Sequence, residues 1–287
     1  MEVRLTMKLR RWWRGLILLA ALLLITACGE MAPLILTPTP MPTRPNPISL
    51  TLVASESFLP AIRGAASAYQ RTHPEVHLTV IQRTHADAMD RVIRGDADLA
   101  TVAWLPDPVP DAAWISPLVR DGLAIVVNPQ NGLPGVTMSQ LRDVFQGRVD
   151  DWVNLSGLPG APQPVSREEA SGEFAFFQAW VMRDSRVTLN ALLAPTSEVM
   201  LDLVAEDSLA IGYVSTAWVD GRVRAVAVDG VPPARETIAG NLYPLTRTFV
   251  VATRGEPEGA TREFVQWLLD AEGQAILTRY GYVPRPE

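Results

Sequence analysis

Apolar residues follow two alternating periods along most of the chain. Short apolar runs at 49–53 and 76–81 are typical of strands, and after each run apolar side chains recur every three or four residues, as on the buried face of a helix. Strands that alternate with helices predict an α/β fold with largely parallel sheets. The same criteria predict further strands at 99–102, 123–127, 164–166, 209–214, 223–228 and 248–252, and further helices at 174–181, 197–204 and 260–269.

Residues that typically begin or end helices flank two of the predicted helices. The helix around 89–93 is followed by Gly95, a residue type that commonly ends helices. Another helix is expected to begin after Thr137 or Ser139, either of which can cap it, and to end at Gly147.

The first residues follow a different pattern. Five basic residues and one acidic residue lie within 1–14, and an apolar run of roughly 10 residues follows at 16–25. This arrangement predicts a secretory signal peptide over 1–27, since a membrane span needs about 20 apolar residues. The end of the run, 24–28, resembles a bacterial lipobox, which predicts cleavage before Cys28 and acylation of its thiol. The alternative is a short membrane anchor with an incidental cysteine.

Residues 28–47 are rich in proline and threonine. Proline fixes φ and lacks an amide hydrogen, so this stretch favours extended conformations over a packed core. We interpret it as a tether between the lipid anchor at Cys28 and a folded body that begins at residue 48. Cys28 is the only cysteine of the chain, so an intrachain disulfide is excluded and the fold must rest on its core.

Charge narrows the range of partners. The chain has 25 basic and 31 acidic residues. Removal of 1–27 takes away five of the former and one of the latter, which leaves a net charge of about −10. An acidic surface without a basic run argues against nucleic acid and against electrostatic adhesion to membranes. We therefore expect no nucleic-acid partner, and contact with the membrane through the lipid anchor only.

Enzyme signatures are scarce. The three histidines are His73, His77 and His85, and Pro74 interrupts the one pair with the spacing of a helical zinc site. The chain has no Gly-x-Ser-x-Gly motif, no glycine-rich phosphate loop with lysine and no Cys-x-x-Cys motif. We predict a protein that is not an enzyme and that binds neither a metal nor an organic cofactor. A cell-surface hydrolase is the alternative, and it would need histidines or carboxylates clustered around a cleft.

One segment has the chemistry of an oxyanion site. Arg167 follows a predicted strand, and Ser171-Gly172 lead into the helix predicted at 174–181. The free amides at a helix start and the helix dipole favour a negative charge. The guanidinium of Arg167 offers a planar fork of donors, Ser171 adds a hydroxyl, and Gly172 lets the backbone approach a ligand closely. Ordinary helix capping is the alternative interpretation of Ser171-Gly172.

Several landmarks occur in a characteristic order: Ser-Glu-Ser-Phe-Leu-Pro at 55–60, Gly-Asp-Ala-Asp-Leu-Ala at 95–100, Ile-Gly-Tyr-Val at 211–214, Tyr-Pro-Leu-Thr-Arg at 243–247 and the tail at 264–284. Together with the Arg167 loop, this order resembles the phosphate-binding component of bacterial phosphate ABC importers. The resemblance covers nearly the whole chain after the tether.

The resemblance implies a two-lobed clamp of the type II periplasmic-binding-protein kind, in which the chain crosses twice between lobes. Lobe one is expected at 48–127 plus 247–287, and lobe two at 128–246. The implied protein is an extracytoplasmic, lipid-anchored monomer. It captures an oxyanion, with phosphate as the leading candidate, and delivers it to an ABC permease and ATPase complex.

The resemblance also implies a ligand site at matching positions, and this sequence departs from the pattern in three places. The matching positions are Ser57, Phe58, Arg167, Ser171 and Gly172. Arg-Thr-His-Ala at 83–86 replaces a Ser-Gly-rich loop, Ala103 stands where the family has an acidic acceptor, and Glu173 replaces a threonine.

Glu173 leaves two alternatives open. It could restore the missing acceptor for the proton of phosphate, or it could repel an anion. The second alternative favours a degenerate binding-protein-like lipoprotein with a sensing, signalling or adhesion role, or one that binds a different small ligand.

Overall fold

The computed structural model describes residues 47–103, 105 and 108–285. The predicted signal peptide at 1–27, the acylation site at Cys28 and nearly all of the tether lie outside these residues. Within the described part of the chain, no helix combines the length and the apolar character needed to cross a membrane.

Strands and helices alternate along the described chain. The strands are β1 Ile48–Ala54, β2 Val76–Gln82, β3 Leu99–Val102, β4 Ala113–Val127, β5 Gly135–Val136, β6 Gln163–Arg167, β7 Leu192–Ala194, β8 Ala210–Ser215, β9 Arg224–Val228, β10 Thr246–Arg254 and β11 Val283–Pro284. The α-helices are α1 Leu59–Thr72, α2 His85–Arg94, α3 Met138–Phe145, α4 Gly172–Phe177, α5 Ser197–Glu206, α6 Arg235–Ala239, α7 Gly259–Leu269 and α8 Ala271–Arg279. Short 3₁₀ helices lie at Glu56–Phe58, Pro129–Asn131, Trp152–Leu155 and Thr216–Trp218, and a π-helical turn follows α4 at Gln178–Met182.

The helix signals in the sequence are confirmed. Thr137, and not Ser139, caps α3: its hydroxyl accepts from the amide of Gln140, whose side chain accepts from the amide of Thr137. Gly95 and Gly147 follow α2 and α3 with φ of 81° and 71°, in the left-handed region that favours glycine.

Two groups of strands share β4. The first has the order β2-β1-β3-β10-β4, and the second has the order β4-β8-β6-β7. The first part of β4, Ala113–Gly122, pairs with β10, and the last part, Leu123–Val127, pairs with β8. The predicted α/β class is confirmed.

The expectation of largely parallel sheets is wrong. Five of the ten pairings between the described strands are antiparallel, and each of these involves β4 or β10. The sequence predicted only the last third of β4, because Pro117, Arg120 and Asp121 interrupt the apolar pattern of its first part.

The chain passes between the two groups of strands twice. β4 changes its partner at Leu123, and β10 begins at Thr246, opposite Gly122. The lobe boundaries expected from the sequence, 127 and 247, stay predictions.

Each group of strands has its own buried core, and aromatic pairs in these cores hold the segments that reach the site. In the first group, Phe58 stacks on Phe249 with ring centroids 4.6 Å apart, and Tyr282 meets Phe58 edge-on. In the second group, Phe177 stacks on Tyr213 at 4.1 Å. Such pairs contribute about 0.5–1.5 kcal/mol each beyond their buried area. They fix the loop before α1 and the last residue of α4 to the two cores.

Candidate ligand site

A cavity of about 340 Å³ lies between the two groups of strands. The first group supplies the loop before α1 and the start of α2. The second group supplies the end of β6, the start of α4 and the segment before α5. The lining residues are Ser55, Glu56, Gln82, Arg83, Thr84, His85, Arg167, Glu168, Ala170, Ser171, Gly172, Glu173 and Pro195.

Arg167 ends β6 and is buried, with 2% of its side chain exposed. Its amide donates to the Tyr213 hydroxyl at 3.1 Å, and the Tyr213 ring stacks on Phe177, so the backbone is fixed to the core. Nη1 donates to Ser197 Oγ and Nη2 to the carbonyl of Pro195, both at 3.3 Å. Nε is buried and has no hydrogen-bond partner among the described residues.

The carboxylate of Glu56 reaches from the first group of strands to the second. Oε2 accepts from Arg167 Nη2 at 2.9 Å and from Ser197 Oγ at 3.0 Å. Oε1 accepts from the Ser197 amide at 3.1 Å. Ser197 is the first residue of α5, where backbone amides have no partner within the helix. Both oxygens of Glu56 are therefore bound by the opposite side of the cavity.

Arg247 joins two buried carboxylates behind the cavity. Its Nε and Nη2 donate to Asp121 Oδ2 at 2.9 and 2.8 Å, and Nη2 also donates to Glu173 Oε1 at 3.0 Å. The other oxygen of Asp121 accepts from the hydroxyls of Ser215 and Thr216, each at 2.9 Å. Asp121 lies on β4 and Arg247 on β10, the two strands that connect the groups.

Glu173 is a buried carboxylate between two guanidinium groups. Its Oε2 lies 3.9 Å from Arg167 Nη1. Burial raises the pKa of Glu173, but the charges of Arg247 and Arg167 outweigh burial and lower that pKa to about 2. The side chain is therefore ionised at neutral pH and can only accept hydrogen bonds. For Asp121, burial raises the pKa above its ordinary value, although Arg247 opposes the shift.

The formal charges of the ion-paired side chains at the site are not balanced. Arg167 and Arg247 supply two formal positive charges, and Glu56, Asp121 and Glu173 supply three formal negative ones. An anion that enters the cavity must therefore be attracted by the local geometry of donors. Among the described residues, no group of three or more His, Cys, Asp or Glu side chains is arranged to hold a metal ion.

The start of α4 lies at the cavity. Ser171 caps the helix: its Oγ accepts from the Phe174 amide at 3.0 Å, which is the capping role left open by the sequence. Gly172 is buried, and a Cβ at this position would lie 3.9 Å from the Cβ of His85, an ordinary contact. The hydroxyl hydrogen of Ser171 and the first amides of α4 have no partner within the helix, so they can serve a ligand.

Ser57 and Phe58 do not line the cavity. The Phe58 ring belongs to the core, and its amide donates to the Ser55 carbonyl at 3.2 Å. The Ser57 carbonyl accepts from Trp218 Nε1 and from the Tyr282 hydroxyl, both at 2.8 Å. The Ser57 hydroxyl lies close enough to Glu173 to help lower its pKa, yet it makes no hydrogen bond of ordinary geometry. The structure thus groups Arg167, Ser171, Gly172 and Glu173, and it leaves Phe58 in a supporting position.

Three residues that line the cavity have a buried polar atom without a partner within the described residues: the Ser55 hydroxyl, His85 Nδ1 and Arg167 Nε. The hydroxyls of Ser57 and Thr101 and Arg247 Nη1 also lack such a partner, but these residues lie outside the lining. An unsatisfied buried polar group costs about 1–3 kcal/mol, and native structures contain few of them. Burial lowers the pKa of His85, although the Ala170 carbonyl and Glu173 oppose the shift. A ligand with several hydrogen-bonding oxygens suits the three unpaired atoms of the lining residues.

Sequence reasoning missed Glu56, Ser197, Asp121 and Arg247 as parts of the site. A signal for one pair was present, because Asp121 and Arg247 are charged residues next to apolar strand segments, and buried charges require a partner. Glu56 and Ser197 had no comparable signal, since each lies in an ordinary loop-to-helix segment.

Comparisons with known proteins agree with this architecture. A family model described as a PBP superfamily domain matches residues 41–272. The phosphate-binding protein PstS of Bacillus subtilis (strain 168) is 26% identical over 242 residues, which cover 82% of this chain and 80% of the relative. A putative phosphate ABC transporter substrate-binding protein from Clostridium perfringens, solved with bound phosphate, superposes with a TM-score of 0.77 at 25% identity, covering 83% of this chain and 100% of that one. An ABC-type phosphate transport receptor from Vibrio cholerae superposes with a TM-score of 0.73 at 26% identity, covering 82% of this chain and 100% of that one.

Proposed function

The chain belongs to the PBP superfamily, and we propose that it is an extracytoplasmic binding protein that captures phosphate between its two lobes and delivers it to an ABC importer. It is a two-lobed α/β binding protein and not an enzyme, in keeping with relatives and structural neighbours that are named as phosphate-binding or phosphate-transport proteins. The phosphate ligand, the importer and the location of this chain belong to the proposal.

The proposal rests above all on Arg167. Its buried guanidinium lines the cavity beside the start of α4 and Ser55. Within the described part of the chain, Arg167 Nε and the Ser55 hydroxyl have no hydrogen-bond partner. A tetrahedral oxyanion suits this set, because guanidinium groups bind such anions through two parallel hydrogen bonds and hydroxyls and backbone amides can fill the remaining oxygens.

Glu173 supports a ligand that carries a proton. Its ionised carboxylate can accept a hydrogen bond but cannot donate one. Phosphate keeps a proton to donate near neutral pH, whereas sulfate has none. Glu173 thus takes over the role of the acidic acceptor that Ala103 cannot fill, and its pairing with Arg247 reduces its repulsion of the anion.

We further propose that Cys28 is acylated after removal of 1–27 and that 28–47 tethers the lobes to the cell membrane. The support is the lipobox-like ending and the single cysteine. Mass spectrometry of the mature amino-terminal peptide tests this: a mature start downstream of Cys28 would contradict it.

One observation favours a second candidate function. Three carboxylates, of Glu56, Asp121 and Glu173, face two guanidinium groups at the site, and this excess of negative charge weakens the binding of any anion. The alternative is a binding-protein-like lipoprotein that senses a different small ligand.

Phosphate should raise the melting temperature of the purified protein. A ligand at about 100 times its dissociation constant that binds only the folded state stabilises it by about 2.7 kcal/mol. For a chain of this size each kcal/mol raises the melting temperature by about 2–4 °C. We expect this shift with phosphate and a smaller one with sulfate. If phosphate, sulfate, molybdate and tungstate all leave the melting temperature unchanged, the oxyanion function is wrong, and a shift with a sugar or amino acid supports the alternative.

Glu173→Gln should narrow the preference for phosphate over sulfate. The amide can donate to a sulfate oxygen, and it loses the charged acceptor for the phosphate proton. A hydrogen bond to a charged group contributes about 1.5–3 kcal/mol, so the ratio of the two dissociation constants should change at least about tenfold. Glu169→Gln, an exposed change of equal charge in the same loop, is the control. Equal ratios in the two variants, measured by calorimetry, would remove Glu173 from the selectivity mechanism.

A further inference from the structure

Glu56 is bound by the opposite wall of the cavity in the manner of a ligand. Its two oxygens receive one guanidinium N–H, one backbone amide and one hydroxyl, at 2.9, 3.1 and 3.0 Å. These donors belong to Arg167 and to Ser197, at the end of β6 and the start of the ten-residue helix α5. Only 17% of the Glu56 side chain is exposed.

We propose that Glu56 is a built-in competitor of the anionic ligand: its carboxylate holds Arg167 and bridges the two lobes until a stronger anion displaces it. The nature of the displacing anion rests on the proposed function. The bridge itself rests only on the contacts of Glu56, Arg167 and Ser197.

The donors of Arg167 show why the two anions compete. Nη2 is shared by Glu56 and the Pro195 carbonyl, and Nη1 donates to Ser197. Nε has no hydrogen-bond partner among the described residues. A bidentate anion needs two adjacent N–H groups, and both pairs that a guanidinium offers include Nη2. The anion must therefore displace Glu56 or the Pro195 carbonyl from Nη2, and of these two Glu56 is the one that has a like charge.

Electrostatics points the same way. Arg167 already has two carboxylates close by, Glu56 at 2.9 Å and Glu173 at 3.9 Å. A third anion at the same guanidinium meets these two like charges, and their repulsion opposes its binding. Displacement of Glu56 relieves the larger part of this repulsion.

The competition selects the chemical class of ligand. A monovalent carboxylate offers Arg167 nothing that Glu56 does not already offer from within the chain. A tetrahedral oxyanion that has more negative charge, more acceptor oxygens and a proton for Glu173 gains on all three counts. Glu56 therefore excludes small carboxylates and lowers the affinity for phosphate itself.

Two variants separate competition from bridging. Glu56→Gln keeps the shape and removes the charge, and Glu56→Ala removes the contact. Glu206→Gln and Glu206→Ala, at the exposed far end of α5, are the matched controls. We expect Glu56→Gln to tighten phosphate binding about tenfold in calorimetry, a change of about 1.4 kcal/mol, and to admit acetate. We expect Glu56→Ala to speed hydrogen exchange at the Ser197 amide without added phosphate, since that amide donates to Glu56.

The outcomes distinguish this inference from the proposed function. Unchanged or weaker phosphate binding by Glu56→Gln, with binding by the parent protein, overturns the competition and leaves the proposed function standing. Exchange at Ser197 that matches the Glu206→Ala control overturns the bridge. If neither the parent nor Glu56→Gln binds phosphate, the proposed function and the competition both fail, and exchange at Ser197 still decides the bridge.

Discussion

Arg247→Met should lower the free energy of unfolding by about 3–5 kcal/mol, the range for breaking a buried ion pair by removal of one partner. Arg247 is 1% exposed and is the cation shared by Asp121 and Glu173. Methionine leaves both carboxylates buried, and Glu173 retains only the more distant Arg167. The melting temperature should fall by about 6–20 °C. Thermal and urea unfolding measure the two quantities.

Arg254→Met is the control for Arg247→Met. Arg254 ends the same strand, β10, and is exposed, so its replacement should change stability by no more than about 0.5 kcal/mol. The triple variant Asp121→Asn, Glu173→Gln, Arg247→Met should recover much of the loss, because it leaves no unpaired charge. If Arg247→Met is as stable as Arg254→Met, the buried network does not hold the two connecting strands together.

The sequence predicted the elements whose apolar periodicity is local. β1, α1, β2 and α2 appear close to their predicted positions because an uninterrupted apolar pattern defines each of them. The first part of β4 was missed because Asp121 and its neighbours break the apolar pattern. The partner of Asp121 is 126 positions away in the sequence, so the local pattern could mark a charge beside an apolar strand segment but could not identify the residue that pairs with it.

The candidate site likewise has a part that is local in the sequence and a part that depends on distant contacts. Arg167, Ser171, Gly172 and Glu173 lie within one short segment, and their proximity could be predicted without knowing the fold. The contacts of Glu56 with Arg167 and Ser197 join segments 111 and 141 positions apart. Such contacts depend on how the lobes pack together. The same holds for Glu173, whose two alternatives could not be weighed before its partner Arg247, 74 positions away, was known.

The affinity for phosphate should fall strongly when Arg167 is replaced. Arg167→Lys keeps a positive charge near Glu56 and Glu173 but has no planar fork for bidentate binding. Loss of two charge-assisted hydrogen bonds, at about 1.5 kcal/mol or more each, predicts an affinity about 100-fold weaker. Arg167→Ala should abolish the thermal shift altogether, and it should also destabilise the fold because Glu56 and Glu173 lose a buried partner. Each variant is therefore compared with its own melting temperature without phosphate.

Arg83→Ala tests whether the loss of phosphate affinity in the Arg167 variants reflects the geometry of the guanidinium or only its charge. Arg83 lines the same cavity, but it is exposed and pairs with Asp87 at 3.2 Å. Arg83→Ala therefore changes the net charge by the same amount as Arg167→Ala without removing a buried donor. We expect Arg83→Ala to lower phosphate affinity less than the Arg167 variants do, and by an amount that depends on salt, since exposed charges are screened. Calorimetry at low and high salt measures this. If Arg83→Ala abolishes binding while Arg167→Lys binds phosphate like the parent protein, the ligand lies at the mouth of the cavity, and the buried guanidinium serves the ion pair with Glu56 alone.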